Sequence, residues 1–177
     1  MNSILIINLI LILIILLVDG TFETSIDLGS CSTFAIMAGT AVSFDGVQTT
    51  ISIGSVGVSP GTAITGNYVV NDGTVEDNSA GAIQCSTDNI VAYNQASTMV
   101  CSNQLSNSDL TGLTLQPGVY CTVSGLMSIS AATVTLDGLG DVNAVWIFQT
   151  ASTLITSTGT SINLINGAKA NNVFWAV

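Results

Sequence analysis

Ala144-Val145-Trp146-Ile147-Phe148 returns 28 residues later as Asn172-Val173-Phe174-Trp175, and the reading of that echo decides the fold. Leu126 and Leu154 stand at the same spacing. Between them, Val134-Thr135-Leu136-Asp137-Gly138 has a looser counterpart in Ile162-Asn163-Leu164-Ile165-Asn166-Gly167. Each period therefore holds three short runs of alternating β-branched and polar residues, separated by Gly, Asn or Asp. One rung of a three-sided parallel β-helix has this form, because stacked rungs pair their backbones continuously and send alternate side chains inward. A sandwich would need antiparallel hairpins, and the two-residue turn signals that make them are missing here.

The same strand pattern precedes the repeat, at Phe34 to Met37 and Thr50 to Ile53. One segment differs. After a Gly- and Asn-rich stretch from Asn71 to Gly81, Thr87 or Asp88 can cap a helix on which Ile90, Tyr93, Ala96 or Ser97, and Val100 recur at helical spacing. The expected helix covers about 88–105 and presents a single apolar face. So short a stripe does not stabilise an isolated helix, so it lies on the strands.

The chain opens with an aliphatic run from Ile4 to Val18, broken only by Asn8. That length is short for a membrane span and right for the core of a secretory signal, with cleavage expected before Thr21. The expected organisation is a signal peptide at 1–20 and one domain at 21–177, with secretion as the destination. No Lys or Arg precedes the run, so an uncleaved anchor is the alternative, and the only route by which this chain would meet a membrane. Over the whole chain charged residues make up only 7%, the formal net charge is −10, and Lys169 is the only basic side chain. Such a surface repels nucleic acid and anionic lipid.

Catalysis lacks its usual equipment. There is no His and no Arg, which removes most of the base and cation clusters that β-helical lyases need. Asp137 and Asp141 could suggest a carboxylate pair or a calcium turn, but each stands near a Gly, where Asp serves the backbone. No enzyme activity, small-molecule substrate, cofactor or metal is expected. Trp146, Phe148, Phe174 and Trp175 read as core or helix-contacting side chains rather than a sugar platform. The four cysteines, at 31, 85, 101 and 121, favour two disulfides in a secreted chain, with three pairings open. Cys101 at the end of the expected helix and Cys121 in the next strand favour Cys101 with Cys121, leaving Cys31 with Cys85.

Six blocks, in order, resemble the ice-binding proteins built on an irregular right-handed β-solenoid with one long helix alongside. They are Leu28-Gly29-Ser30 with Phe34 to Gly39; Gly57 to Gly66; Ala92-Tyr93-Asn94; Asp109 to Tyr120; Asn143 to Gln149; and Leu164 to Trp175. The resemblance covers nearly all of the chain after the leader. It implies a mainly β fold, an ice surface as partner, and further rungs after Trp175. Because the chain ends at Val177 on an apolar strand without a polar capping turn, it is expected to be a fragment.

Ice is an extended neutral lattice, so its receptor needs a broad regular face rather than a charged pocket. Stacked strands recur every ~4.8 Å, and threonine offers a hydroxyl, a methyl and a stiff χ1 at little entropic cost. By the resemblance, one face rich in Thr, Ser, Ala and Gly binds ice. Its nearest match is Thr156-Ser157-Thr158-Gly159-Thr160-Ser161 with Thr153, giving Thr153, Thr156, Thr158, Thr160 and Ser161 as the candidate site. The bland reading of these residues is solvated turn hydroxyls. A cell-surface adhesion or matrix module on the same scaffold is the alternative function.

Overall fold

The structure, a computed structural model, describes residues 25–177. The expected leader lies outside them. Fourteen strands and one α-helix follow in order: β1 (Phe34–Ala38), β2 (Ala41–Ile51), β3 (Ser55–Val58), β4 (Ala63–Val70), β5 (Val75–Asp77), α1 (Ala80–Thr98), β6 (Asn103–Leu105), β7 (Thr114–Leu115), β8 (Gly118–Thr122), β9 (Leu126–Ile129), β10 (Thr133–Asp137), β11 (Trp146–Gln149), β12 (Thr153–Thr156), β13 (Ser161–Ile165) and β14 (Val173–Ala176). Every ladder among them is parallel.

From β7 onward every third strand joins the same sheet, β8-β11-β14, β9-β12 and β7-β10-β13, with β6 added beside β8. That is the three-sided solenoid. Inward columns fill its core, with Tyr120, Phe148 and Trp175 stacked at ring separations of 5.4 and 4.0 Å. Leu115 and Leu136 pair beside them, and Trp146 is fully buried. A second, smaller stack precedes the helix: β1-β3-β5 and β2-β4 enclose Val42, Ile51, Val56 and Val58. In it Gly66, at φ +101°, passes so close to the carbonyl of Phe44 that a Cβ there would sit 2.0 Å from its oxygen. No other residue fits.

The repeat has three strands per period, but its length differs between sheets. Thr133 pairs with Ser161, an offset of 28, while Trp146 pairs with Val173 and Leu126 with Thr153, an offset of 27. The turn before β13 holds one residue more than the turn before β10, and the next corner holds one fewer. Leu154 therefore stacks on Met127 rather than on Leu126, and Trp175 on Phe148.

The helix also differs from its expected position. It runs Ala80–Thr98, not 88–105, and its N-cap is Ser79, whose hydroxyl accepts from the amide of Ala82 at 3.1 Å. Its buried side is made of Ala82, Cys85, Ala92 and Ala96, whereas Ile90 is 59% and Tyr93 45% exposed, and Val100 lies beyond the helix end. The physical reason is close approach. Small residues let the helix backbone settle on Val119, Ile147 and Phe174, and the larger side chains are left outside. Likewise, β2 ends at Ile51, and Ile53 is exposed.

Two disulfides are present, Cys31–Cys85 and Cys101–Cys121. The first ties the 3-10 turn Gly29–Thr33 to the helix, and the second ties the segment after the helix to β8.

Candidate functional site

Of the solenoid's three sides, the one made by β6, β8, β11 and β14 is covered. Val119, Ile147, Phe174 and Ala176 on its outer surface meet Ala92 and Ala96. Gln149 reaches the helix end, its Nε2 donating to the carbonyls of Ala96 (2.7 Å) and Met99 (2.8 Å). Because the helix occupies that side, only the sides of β9-β12 and β7-β10-β13 are broad and open.

On β9-β12 the burial alternates with the pleat. Met127 and Ile129 point inward, so Leu126 and Ser128 point out, and their partners on β12 are Thr153 and Ile155. Asp109 bridges alongside Ser128. Its carboxylate accepts from the hydroxyls of Ser130 and Thr111 and from the amide of Thr111 at 3.0 Å. The bonds from Ser130 and Thr111 hold its pKa down to about 2, well below the usual 3.8. On β7-β10-β13 the outward rows are Thr114-Thr135-Asn163 and Thr133-Ser161, beneath inward Val134 and Leu136. Strands in such rows recur every ~4.8 Å, and their side chains stand off a common plane.

The five candidate residues do not share one face. Thr153 lies on the outer surface of β12 and is exposed. Thr156 has the opposite parity and stands in the inward column above Ile129, exposed because β12 is the edge of its sheet. Thr158 occupies the exposed turn between β12 and β13. Thr160 closes that turn, its hydroxyl donating to the carbonyl of Ser157 at 2.7 Å. Ser161 opens β13, with its hydroxyl 2.9 Å from that of Thr133. These residues thus run over the corner where the two open sides meet.

Reading the repeat strand by strand, with the pleat parity of each run, would have added Ser128, Thr114, Thr133 and Thr135. In the smaller stack, the outward pairs Ala41-Ala63 and Ser43-Thr65 make a further surface of small residues, with Asp45 next in the same row accepting from the Ser43 hydroxyl. The weighed carboxylates serve turns. Asp137 accepts from the amide of Leu139 and from Asn166 Nδ2, and Asp141 from the amide of Asn143. A cleft of about 380 Å³ between the helix and the adjoining corner is lined by Tyr93, Ser97, Thr122, Val123, Gln149 and Thr150, with no carboxylate or cation. Among the described residues no helix is long and apolar enough to cross a membrane.

Against known proteins this architecture has close counterparts. The family model described as Ice-binding-like matches residues 36–177. The chain is 39% identical over 152 residues to an ice-binding protein of Nostoc sp., covering 85% of this chain and 54% of that relative. It is 32% identical to an ice-binding protein of Leucosporidium sp., covering 91% of this chain and 68% of the other. Among solved structures, an ice-binding protein from an Antarctic biological consortium superposes with a TM-score of 0.80 at 40% identity, covering 86% of this chain and 68% of that one. One from the ascomycete Antarctomyces psychrotrophicus gives 0.79 at 35%, covering 86% and 73%. The chain spans about half the length of the Nostoc relative. The family match over residues 36–177, the identities and the superpositions place it together with them: the chain belongs to the ice-binding-like family.

Proposed function

We propose that this chain is a secreted, non-catalytic ice-binding protein that adsorbs to ice and slows its growth and recrystallisation. The observation that carries the reading is the pair of uncovered solenoid sides, whose outward rows are Thr, Ser, Asn and aliphatic residues with few charges. A charged side chain keeps its own hydration shell against a lattice, whereas a threonine methyl and hydroxyl on a fixed strand fit ordered water. The names of its relatives, all ice-binding proteins, support the same activity here.

The site proposed is the surface that runs from Thr153 over the corner at Thr158 to Ser161, with Thr156 and Thr160 at its margins. Thr153 and Thr158 are exposed and outside the inward column, whereas Thr160 and Ser161 already spend their hydroxyls on neighbours. An ice-recrystallisation assay tests both the activity and the placement. Folded chain should keep crystals small, and Thr153→Glu with Thr158→Glu should coarsen them while circular dichroism stays unchanged. Coarse crystals from the folded parent would defeat the activity. Small crystals from the double variant would move the site to the rows at Thr114, Thr133 and Thr135.

Secretion rests on the apolar run from Ile4 to Val18. Expression in a secreting host should yield medium protein beginning at Thr21. Retention of the intact chain in the membrane would replace secretion with anchoring.

A further inference from the structure

The two disulfides differ in what surrounds them. In Cys31–Cys85 the helix member, Cys85, is fully buried. Two carboxylates flank the other half: Asp88 accepts from the amide of Ser30 at 2.8 Å and from its hydroxyl at 2.7 Å, and Asp27 accepts from the amide of Gly29 at 2.8 Å. Cys101–Cys121 is partly exposed at both ends. Cys121 also lines the cleft of about 380 Å³ between the helix and the adjoining corner, whose walls carry no carboxylate or cation. It sits on β8, between β6 and β11, so this part of the cleft belongs to an inner strand of the sheet.

A disulfide is opened by a thiolate, an anion that must reach one of the two sulfurs. Burial denies it Cys85, and the carboxylates beside the 3-10 turn repel it from Cys31. At Cys121 it meets neither obstacle. Opening there leaves the surrounding fold fastened. Gln149 Nε2 still donates to the carbonyls of Ala96 and Met99 at the helix end. Ser102 still pairs with Val119, its amide donating to the Val119 carbonyl at 3.1 Å and its hydroxyl accepting from the Val119 amide at 3.0 Å. Cys101, one residue before Ser102, is thereby held beside Cys121.

We infer that Cys101–Cys121 is a reversible thiolation site, which takes small monothiols free of other charge through the cleft, while Cys31–Cys85 stays closed. In the forward step the incoming thiolate sulfur bonds to Cys121 Sγ, the bond between the two cysteine sulfurs breaks, and Cys101 leaves as a thiolate that takes up a proton. One disulfide replaces another, so no outside oxidant or reductant is consumed. In the return step the Cys101 thiolate attacks Cys121 Sγ and expels the small thiol. The return is intramolecular and is favoured by the fixed position of Cys101.

Treatment of the folded full chain with 2-mercaptoethanol, trapping of free thiols with N-ethylmaleimide and peptide mapping by mass spectrometry test the site. Cys121 should carry the mercaptoethanol adduct and Cys101 the maleimide, about tenfold or more faster than any modification of Cys31 or Cys85, with circular dichroism unchanged. Untrapped protein should recover the bridge when the thiol is removed. Added salt should narrow the gap by speeding Cys31–Cys85, because it screens Asp27 and Asp88. Ser97→Trp, which fills the cleft from the helix side, should slow modification of Cys121 and leave Cys31 and Cys85 as they were. Equal rates at the two bridges, faster opening of Cys31–Cys85, or an adduct formed on Cys101 alone would each overturn the assignment. Should Ser97→Trp fail to fold, the ratio of rates in the parent decides alone. None of these readouts involves ice, so they stand apart from the proposed function.

Discussion

Trp146 is fixed at both ends of its ring system. It is fully buried between the strands of Gly118 and Val173, and its indole Nε1 donates to the carbonyl of Leu115 at 3.1 Å across the core. Trp146→Ala should cost about 3–5 kcal/mol in urea unfolding, and Trp146→Phe about 1–3 kcal/mol, because the second change strands the Leu115 carbonyl. Gly66→Ala combines a left-handed backbone with a collision against Phe44, so loss of folded yield is expected there, whereas at Gly159, also left-handed at φ +79° but with nothing near its Cβ, the cost should be confined to the backbone strain of about 1–2 kcal/mol. Asp109 sets an acid limit. Its folded pKa of about 2 lies below the unfolded 3.8, so its contribution is whole above about pH 4 and is lost as pH falls towards 2. Asp109→Asn should flatten the stability curve in that window and nowhere else, which thermal melts between pH 2 and 5 would show; because the carboxylate is exposed, the change is modest. At this scale the sequence was informative about inward aromatics and turn aspartates, whose roles follow from local pattern. It was weaker for the threonines, since whether Thr156 points in or out depends on pleat parity along β12.

Among the elements, the helix shows where local pattern and tertiary packing part. Ile90 and Tyr93 at helical spacing suggest the buried face, yet a helix pressed against a sheet is limited by backbone approach, and Ala82, Cys85, Ala92 and Ala96 win that contact. The existence of a helix was legible, and so was its place alongside the strands. Its first two turns were obscured because Gly81 and the surrounding polar residues read as loop, although Ser79 with its side-chain bond to Ala82 supplies the cap. The consequence is testable in pairs. Ala96→Leu should destabilise by about 1–3 kcal/mol through overpacking, whereas Ile90→Gln, on the outer surface, should stay within about 0.5 kcal/mol of the parent; chemical denaturation separates the two. The reverse ranking would mean that Ile90 has a partner.

For the whole molecule, charge is the scarce resource. Eleven acidic groups and one Lys keep copies apart at neutral pH, and the sequence isoelectric point is about 4.1. With that repulsion gone, the exposed apolar side chains, Val47, Ile53, Val100 and Val123 among them, are free to associate. Turbidity should therefore peak near pH 4 and clear on return to pH 7; a flat profile would mean that charge repulsion is not what keeps copies apart. The architecture at this scale was readable from the three-strand period, because a parallel stack leaves its repeat in the sequence. The true offsets were not, because a loose match between two rungs tolerates a slip of one residue that only backbone pairing removes.

That slip has its own meaning. One rung takes an extra residue at the corner before β13 and gives it back before β14, so the strands return to register although the perimeter has changed locally. Corners in such a molecule behave like expansion joints: length can be inserted or removed there without disturbing the spacing of the flat panels between them. Lineages of this scaffold can then drift in loop length and lose any recognisable repeat in their letters, while the panels stay aligned to within a strand spacing.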